Sequence, residues 1–362
     1  MLSVAPSYVP CQASTSFSLP QTADECCTPD FVQYRNGLYT RQYKLAEGGF
    51  STVFSMINKA TNERIAVKVV DLKNEESSLE YFNDEIRIMQ KLNHANVVRI
   101  LATSLSLDSK YGQIVMEMAD FGSLYNFVIN KSFDFDVVRA RQYFRQIANA
   151  VSYLHDVGIA HRDLKPSNVL VSNPETVKLA DFGLSSTITY NTEGVEIRND
   201  NCSGTDQFSS PVKFREELSF ATKDDVWALA LILYFMHTTS YPWEKASDED
   251  DNYRKWTTSI NPPENFRALP KNVRISLEMM LAPLERRRWS MDDVRQSDYF
   301  RFEADEDVWI EEVLYEASGN PVGIYNDSNY GLTVIDMINS QYGLSESTTE
   351  DEDMEEVIDV VN

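Results

Sequence analysis

The sequence predicts an α+β fold in two lobes, a small β-rich one followed by a larger helical one. Three observations predict it. Short runs of β-forming residues recur between Tyr39 and Met118, with one amphipathic helix among them. From about Gly122 the apolar spacing follows the helical period of 3.6 residues. Residues 226–235 are apolar almost all round, as in a helix buried in a large core.

Taken in order, residues 1–36 are rich in Ser, Thr, Pro and Gln without a sustained period, and are expected to form a disordered leader. The β-type runs fall at 47–56, 64–70 and 113–118. In the helix between them Leu79, Phe82, Met89 and Leu92 share one face, and Glu85 points with that stripe. A second helix carries Phe144, Ile147, Val151 and Leu154 on one side. Two short strands, 169–171 and 177–180, flank a turn at Asn173-Pro174. The small lobe is placed at about 37–118, the large lobe at about 119–302, and an acidic tail at 303–362.

Composition excludes several classes. With 43% hydrophobic and 25% charged residues the 362-residue chain reads as a soluble globular protein. No apolar run has the length of a membrane span, and the N-terminus lacks the pattern of a signal peptide. Cys11, Cys26, Cys27 and Cys202 have no metal-binding spacing, so free thiols in a reduced intracellular setting are expected. The net charge of −23 sits mostly in the tail, where residues 303–362 hold 17 acidic residues and no Lys or Arg. Such a balance argues against nucleic acid and anionic membrane as direct partners.

The chemistry concentrates in two motifs. His161-Arg162-Asp163-Leu164-Lys165-Pro166-Ser167-Asn168 precedes the first of the short strands, and Asp181-Phe182-Gly183 follows the second. Together, in this order and spacing, they resemble the signature of the protein-kinase family, a likeness extending over about 39–300. The resemblance implies the bilobal protein-kinase fold, with ATP and magnesium as cofactors and proteins as substrates. It makes Asp163 the acceptor of the substrate hydroxyl proton, Lys165 a bridge to the transferred phosphate, and Asn168 and Asp181 the magnesium ligands. Lys68, in Ile65-Ala66-Val67-Lys68, is then the phosphate-gripping lysine. Glu85 is its partner, because a carboxylate on a buried helix face requires a cation. The phosphate loop is Ala46-Glu47-Gly48-Gly49-Phe50-Ser51-Thr52-Val53, with Ala46 and Ser51 at two of the family's three glycine sites. Met116 fits the back of the adenine pocket, and Glu117 and Ala119 offer it backbone groups.

Lys165 and Gly204-Thr205 place the resemblance in the serine/threonine branch, with Thr205 expected to touch Asp163 and Lys165. The stretches Thr189-Tyr190-Asn191, Cys202 near Gly204-Thr205, Tyr241-Pro242-Trp243-Glu244 and Tyr253-Arg254-Lys255-Trp256 are similar to checkpoint kinase 1 and its relatives. That likeness implies checkpoint or cell-cycle signalling in the nucleus or cytoplasm.

There are departures from the family pattern. Val212 stands where a glutamate normally pairs a late arginine, here Arg288, which must find another acceptor or sit wetter. Ser123, Ser167 and Phe235 replace acids that hold substrate arginines, so that preference is not expected. Ser186 and Tyr81 replace cations beside Arg162, so activity without phosphorylation of the activation segment is expected. The altered glycine loop and Val212 leave a second reading, a kinase-fold scaffold with little turnover. In the tail, Ser340-Gln341 matches a target of DNA-damage-responsive kinases. Residues 357–361 behind acids resemble motifs that bind ubiquitin-like modifiers, the alternative being a solvated, self-repelling end.

Overall fold

The small lobe is one six-stranded antiparallel sheet. Its strands are β1 (Phe31–Tyr34), β2 (Gly37–Glu47), β3 (Ser51–Asn58), β4 (Arg64–Asp71), β5 (Ile100–Leu105) and β6 (Tyr111–Glu117), in the spatial order β1-β2-β3-β4-β6-β5. Helix α1 (Glu76–Lys91) crosses it between β4 and β5. In the computed structural model the described residues are 31–35, 37–49, 51–73, 76–106, 110–130, 135–199, 204–258 and 264–301. The expectations for residues 1–30 and 302–362, including Ser340 and 357–361, lie outside them.

Several expectations need correction. The run at 47–56 is two strands, because the chain turns at Gly48-Gly49, where the Gly48 N–H donates to the Ser51 carbonyl at 2.8 Å. Strand β1 lies inside the expected leader. It pairs with β2 at Val32↔Tyr39 through a tight turn in which Arg35 takes φ 49°. β2 escaped notice because residues 41–47 are all exposed and two bulges against β3 break its alternation.

What fixes α1 is a close approach. A Cβ at Gly112 of β6 would lie 2.4 Å from the Phe82 ring, so only glycine lets the helix dock there. Phe82, Ile88, Met89 and Leu92 are buried, and so is Glu85 on the same face. Leu79 continues the helical period but is 41% exposed. Burial requires an opposing surface as well as a face, and Leu79 is only part-covered.

The large lobe runs α2 (Leu124–Ile129), α3 (Val137–Asp156), β7 (Ile159–Ala160), β8 (Val169–Asn173), β9 (Thr176–Leu179), β10 (Ser186–Thr187), α4 (Pro211–Phe214) and α5 (Ala221–Thr238). It continues with α6 (Asp251–Thr257), α7 (Glu264–Arg267), α8 (Lys271–Met280), α9 (Met291–Gln296) and α10 (Asp298–Arg301). α3 packs on α5. The expected stripe Phe144, Ile147, Val151 and Leu154 is fully buried, and α5 is buried continuously from Asp224 to Met236. β8 and β9 form the expected hairpin with Val169↔Leu179 and Val171↔Val177 in register, and β10 pairs with β7.

His237, near the end of α5, sits 2.8 Å from the Tyr299 hydroxyl of α10. Burial, and then the charge of Arg141, push its imidazole down to about 4. Because the folded value lies below the 6.5 of an unfolded histidine, this group's stabilising contribution is complete above about pH 6.5. It is lost as pH falls toward 4. In urea unfolding, wild type is expected to lose stability relative to His237→Asn across that window. A constant difference between the two would show that His237 is not buried in its neutral form.

Candidate active site

Lys68 lies in the middle of β4, whose residues 65–70 are all buried. Its ammonium donates to Glu85 Oε1 at 2.7 Å and to Asp181 Oδ1 at 2.9 Å. Burial opposes the charge on Lys68, but the carboxylates of Glu85 and Asp181 outweigh it and hold the lysine above its ordinary value. Burial pushes the Glu85 carboxyl up against the pull of Lys68. Burial also acts on Asp181, yet Lys68 prevails and holds that carboxyl below its usual range, so it is ionised at neutral pH. Its side chain is 52% exposed, an anionic oxygen facing the cleft. Asp181 takes φ 62°, a left-handed turn that aims the carboxylate.

Asp163 is held from below. The Asp225 carboxylate of α5, 1% exposed, accepts the backbone N–H of His161 at 2.8 Å and of Arg162 at 2.9 Å. It also lies 2.9 Å from His155 Nε2 of α3. Burial raises the Asp225 carboxyl, but the His155 hydrogen bond and charge, with the backbone donor of Arg162, leave it below its usual value. Arg162 takes φ 66°, strain that this anchor sustains. Asp163 then meets three partners: Lys165 Nζ at 2.7 Å, Asn168 Nδ2 at 2.9 Å and the Thr205 hydroxyl at 2.9 Å. Lys165 reaches Thr205 as well, at 2.9 Å. Gly204 permits this closure: it has φ 94°, and a Cβ there would stand 2.7 Å from the Arg162 carbonyl.

Asn168 Nδ2 is occupied by the Asp163 carbonyl and carboxylate, which leaves its amide oxygen as an acceptor. No group of three or more His, Cys, Asp or Glu among the described residues is placed to hold a metal alone. One carboxylate and one amide oxygen suit magnesium, which keeps waters and takes its remaining ligands from phosphates.

The remaining predicted residues line the hairpin and the strand behind it. Ala46 pairs with Val53 and Glu47 with Thr52, and neither Ala46 nor Ser51 takes a left-handed φ. The glycine freedom lost at those two sites is therefore not needed for the hairpin. The Glu47 side chain pairs with Lys44 at 2.6 Å on the surface, and Phe50 lies outside the described residues. Met116 is buried opposite Ala66. The Glu117 carboxylate is taken by Lys178 and the Arg99 N–H, and its own N–H donates to the Arg99 carbonyl at 3.1 Å. Ser123 caps α2, Ser167 is exposed, and Phe235 is buried. Ser186 stands 3.5 Å from Arg162 Nη1, while Tyr81 is exposed.

Arg288 takes the first of its two expected courses. It is fully buried, donates to the Lys223 and Ala282 carbonyls at 3.0 and 3.2 Å, lies over Trp227, and faces Asp224 at 3.7 Å. Asp224 in turn accepts the Ser210 and Ser219 hydroxyls. Sequence reasoning missed this acceptor, for which the doublet Asp224-Asp225 at the start of an apolar helix was the available signal. It also missed the Arg198–Glu285 pair at 2.8 Å, which no local pattern announces.

Residues 39–300 match the family described as protein kinase domain. The chain is similar to the probable serine/threonine-protein kinase fhkD of Dictyostelium discoideum, 31% identical over 64% of this chain and 32% of the relative. Serine/threonine-protein kinase chk-1 of Caenorhabditis briggsae is 28% identical over 71% and 52% of the two chains. Serine/threonine-protein kinase grp of Drosophila melanogaster is 30% identical over 60% and 41%. The matched region thus spans between a third and about half of these relatives.

Proposed function

This chain belongs to the protein kinase family, and on that premise we propose that it is an active serine/threonine kinase, transferring the γ-phosphate of ATP to protein hydroxyls. The observation that carries the reading is Lys68 held between Glu85 and Asp181 at 2.7 and 2.9 Å, the ion-pair arrangement that phosphoryl transfer needs in place. Lys68 would grip the α- and β-phosphates. Asp163 orients the substrate hydroxyl and takes its proton as the new P–O bond forms and the bond to ADP breaks. Lys165, bridging Asp163 and Thr205, offsets charge on the phosphoryl oxygens. Magnesium, held by Asp181 and Asn168, would neutralise phosphate charge. Transfer of labelled γ-phosphate to a Ser/Thr protein by the purified chain, lost on changing Asp163, tests the reading.

A scaffold with little turnover is the second reading, resting on Ala46, Ser51 and Val212; the hairpin without left-handed φ at the first two and the Asp224 partner of Arg288 support the active reading over it. The likeness to chk-1 supports a place in checkpoint or cell-cycle signalling.

The activation segment supports activity without phosphorylation. Glu196 accepts the Thr222 N–H and hydroxyl at the start of α5. Arg198 pairs with Glu285, donates to the Leu218 carbonyl and covers Phe220. Asn199 and Ser219 exchange two backbone hydrogen bonds of 2.9 Å. Phosphatase treatment is expected to leave basal activity in place. Loss on dephosphorylation, with recovery on rephosphorylating Ser203 or Thr205, would overturn this.

A further inference from the structure

The first turn of α5 carries the anchor of the catalytic loop, and it is capped from outside. Its N-cap, Phe220, supplies no side-chain hydrogen bond, so the leading N–H groups of the helix need other acceptors. The activation segment provides one. Glu196 Oε1 accepts the Thr222 N–H at 3.2 Å, and Glu196 Oε2 accepts the Thr222 hydroxyl at 2.5 Å. Buried Glu285 accepts the Phe220 N–H at 2.9 Å and pairs with Arg198 at 2.8 Å. The helix dipole favours an anion at this end.

A hairpin gives Glu196 its reach. Tyr190 and Glu196 form an antiparallel bridge, and the Ile197 N–H donates to the Thr189 carbonyl at 2.8 Å. Asn191 closes the tip, its side chain accepting the Glu193 and Val195 N–H groups at 2.9 Å. Alternate side chains of an extended run point to opposite sides. Val195 and Ile197 are accordingly 53% and 46% exposed, while Glu196 reaches Thr222 and Arg198 reaches Glu285.

Thr222 stands three residues before Asp225. The two side chains between them are also engaged: Lys223 donates to the Arg288 carbonyl, and Asp224 accepts the Ser210 and Ser219 hydroxyls. Asp225 holds the His161 and Arg162 N–H groups. Arg162, at its left-handed φ, immediately precedes Asp163. A displacement at Thr222 is therefore carried along one packed helical turn to the backbone that aims Asp163.

We infer that Glu196 is a positioning residue for phosphoryl transfer, fixing the first turn of α5 and, through Asp225, the place of Asp163. The inference rests on the kinase reading above. Steady-state transfer of labelled γ-phosphate to a Ser/Thr protein by the purified full chain with magnesium ATP tests it. Glu196→Gln and Thr222→Val are each expected to lower kcat by about 10- to 100-fold, the effect of a small misplacement in a site. KM for ATP should stay within about twofold of wild type, because Lys68 and Glu85 lie on β4 and α1 of the small lobe. Thr222→Val removes only the hydroxyl, so it serves where Glu196→Gln fails to fold. Thr222→Ser, which keeps the hydroxyl, is expected to regain most of what Thr222→Val loses. In an Asp163→Asn background Glu196→Gln should add no more than about twofold, since both changes act on the same group. Near-normal kcat in Glu196→Gln and Thr222→Val, a Thr222→Ser chain as impaired as Thr222→Val, or losses that multiply with Asp163→Asn would overturn the inference. A wild-type chain that transfers phosphate to no protein, itself included, would overturn the kinase reading and this inference with it.

Discussion

Asp163→Asn is expected to lower kcat by about 10²–10⁴-fold, the usual contribution of a positioned proton acceptor, and to leave the melting temperature within a few degrees. Asparagine keeps the shape of the side chain but only one of its two terminal atoms accepts, so the contact from Asn168 or that from the Thr205 N–H is lost. It cannot accept the substrate proton, and it removes the anion that faces Lys165 at 2.7 Å. That lysine is part-exposed, so water compensates most of its lost partner. Asp181→Asn should produce a loss of similar order by another route. It removes the exposed anionic oxygen assigned to magnesium and one of the two carboxylates that Lys68 bridges. Steady-state rates at saturating ATP, with thermal unfolding of the same preparations, separate catalytic loss from unfolding. Near-normal turnover by either variant, free of contaminating kinase, would end the assignment of enzyme.

Arg288→Met is expected to destabilise the large lobe by about 3–5 kcal/mol, because it strands a buried charge. At this domain size that corresponds to a fall in Tm on the order of 10 °C. The Asp224 carboxyl is pushed up by burial, with Arg288 pulling it back, and the Arg288 guanidinium is pushed down by burial, with Asp224 pulling it back. Each charge is held against burial in part by the other. Methionine restores volume over Trp227 but no cation. The double variant Arg288→Met with Asp224→Asn should therefore be less damaged than Arg288→Met alone, since it removes both members of the pair. Chemical unfolding of the four proteins measures the coupling. An Arg288→Met variant within about 1 kcal/mol of wild type would show that the Ser210 and Ser219 hydroxyls satisfy Asp224 unaided.

The candidate site was legible because its parts are local patterns. Asp163, Lys165 and Asn168 share one turn of chain, and Asp181 follows a hairpin whose strands alternate visibly. The Glu85 orientation came from helical spacing alone and is met by a 2.7 Å contact to Lys68. Spacing failed where burial depends on what lies opposite. Leu79 has the right phase yet stays 41% exposed, whereas β2 has strand geometry with its residues 41–47 in solvent. β1 was hidden by its neighbours, since a four-residue strand inside a Ser-, Thr- and Pro-rich stretch becomes evident only when β2 pairs with it.

By itself the sequence indicated the two-lobed α+β plan and most of its elements through short-range period, and the candidate reacting groups through their resemblance to the protein-kinase signature. The tertiary structure alone decided who neutralises whom. Lys68 and Asp181 are 113 residues apart and meet at 2.9 Å. Arg288 turned to Asp224 once Val212 could not serve, and Arg198 found Glu285. The rings of Tyr125, Phe235 and Tyr241 came together from α2, α5 and the loop that follows it. Such pairings carry no period, because each is set by a packed core that brings distant positions within a few ångströms and penalises any buried charge or donor left without a partner.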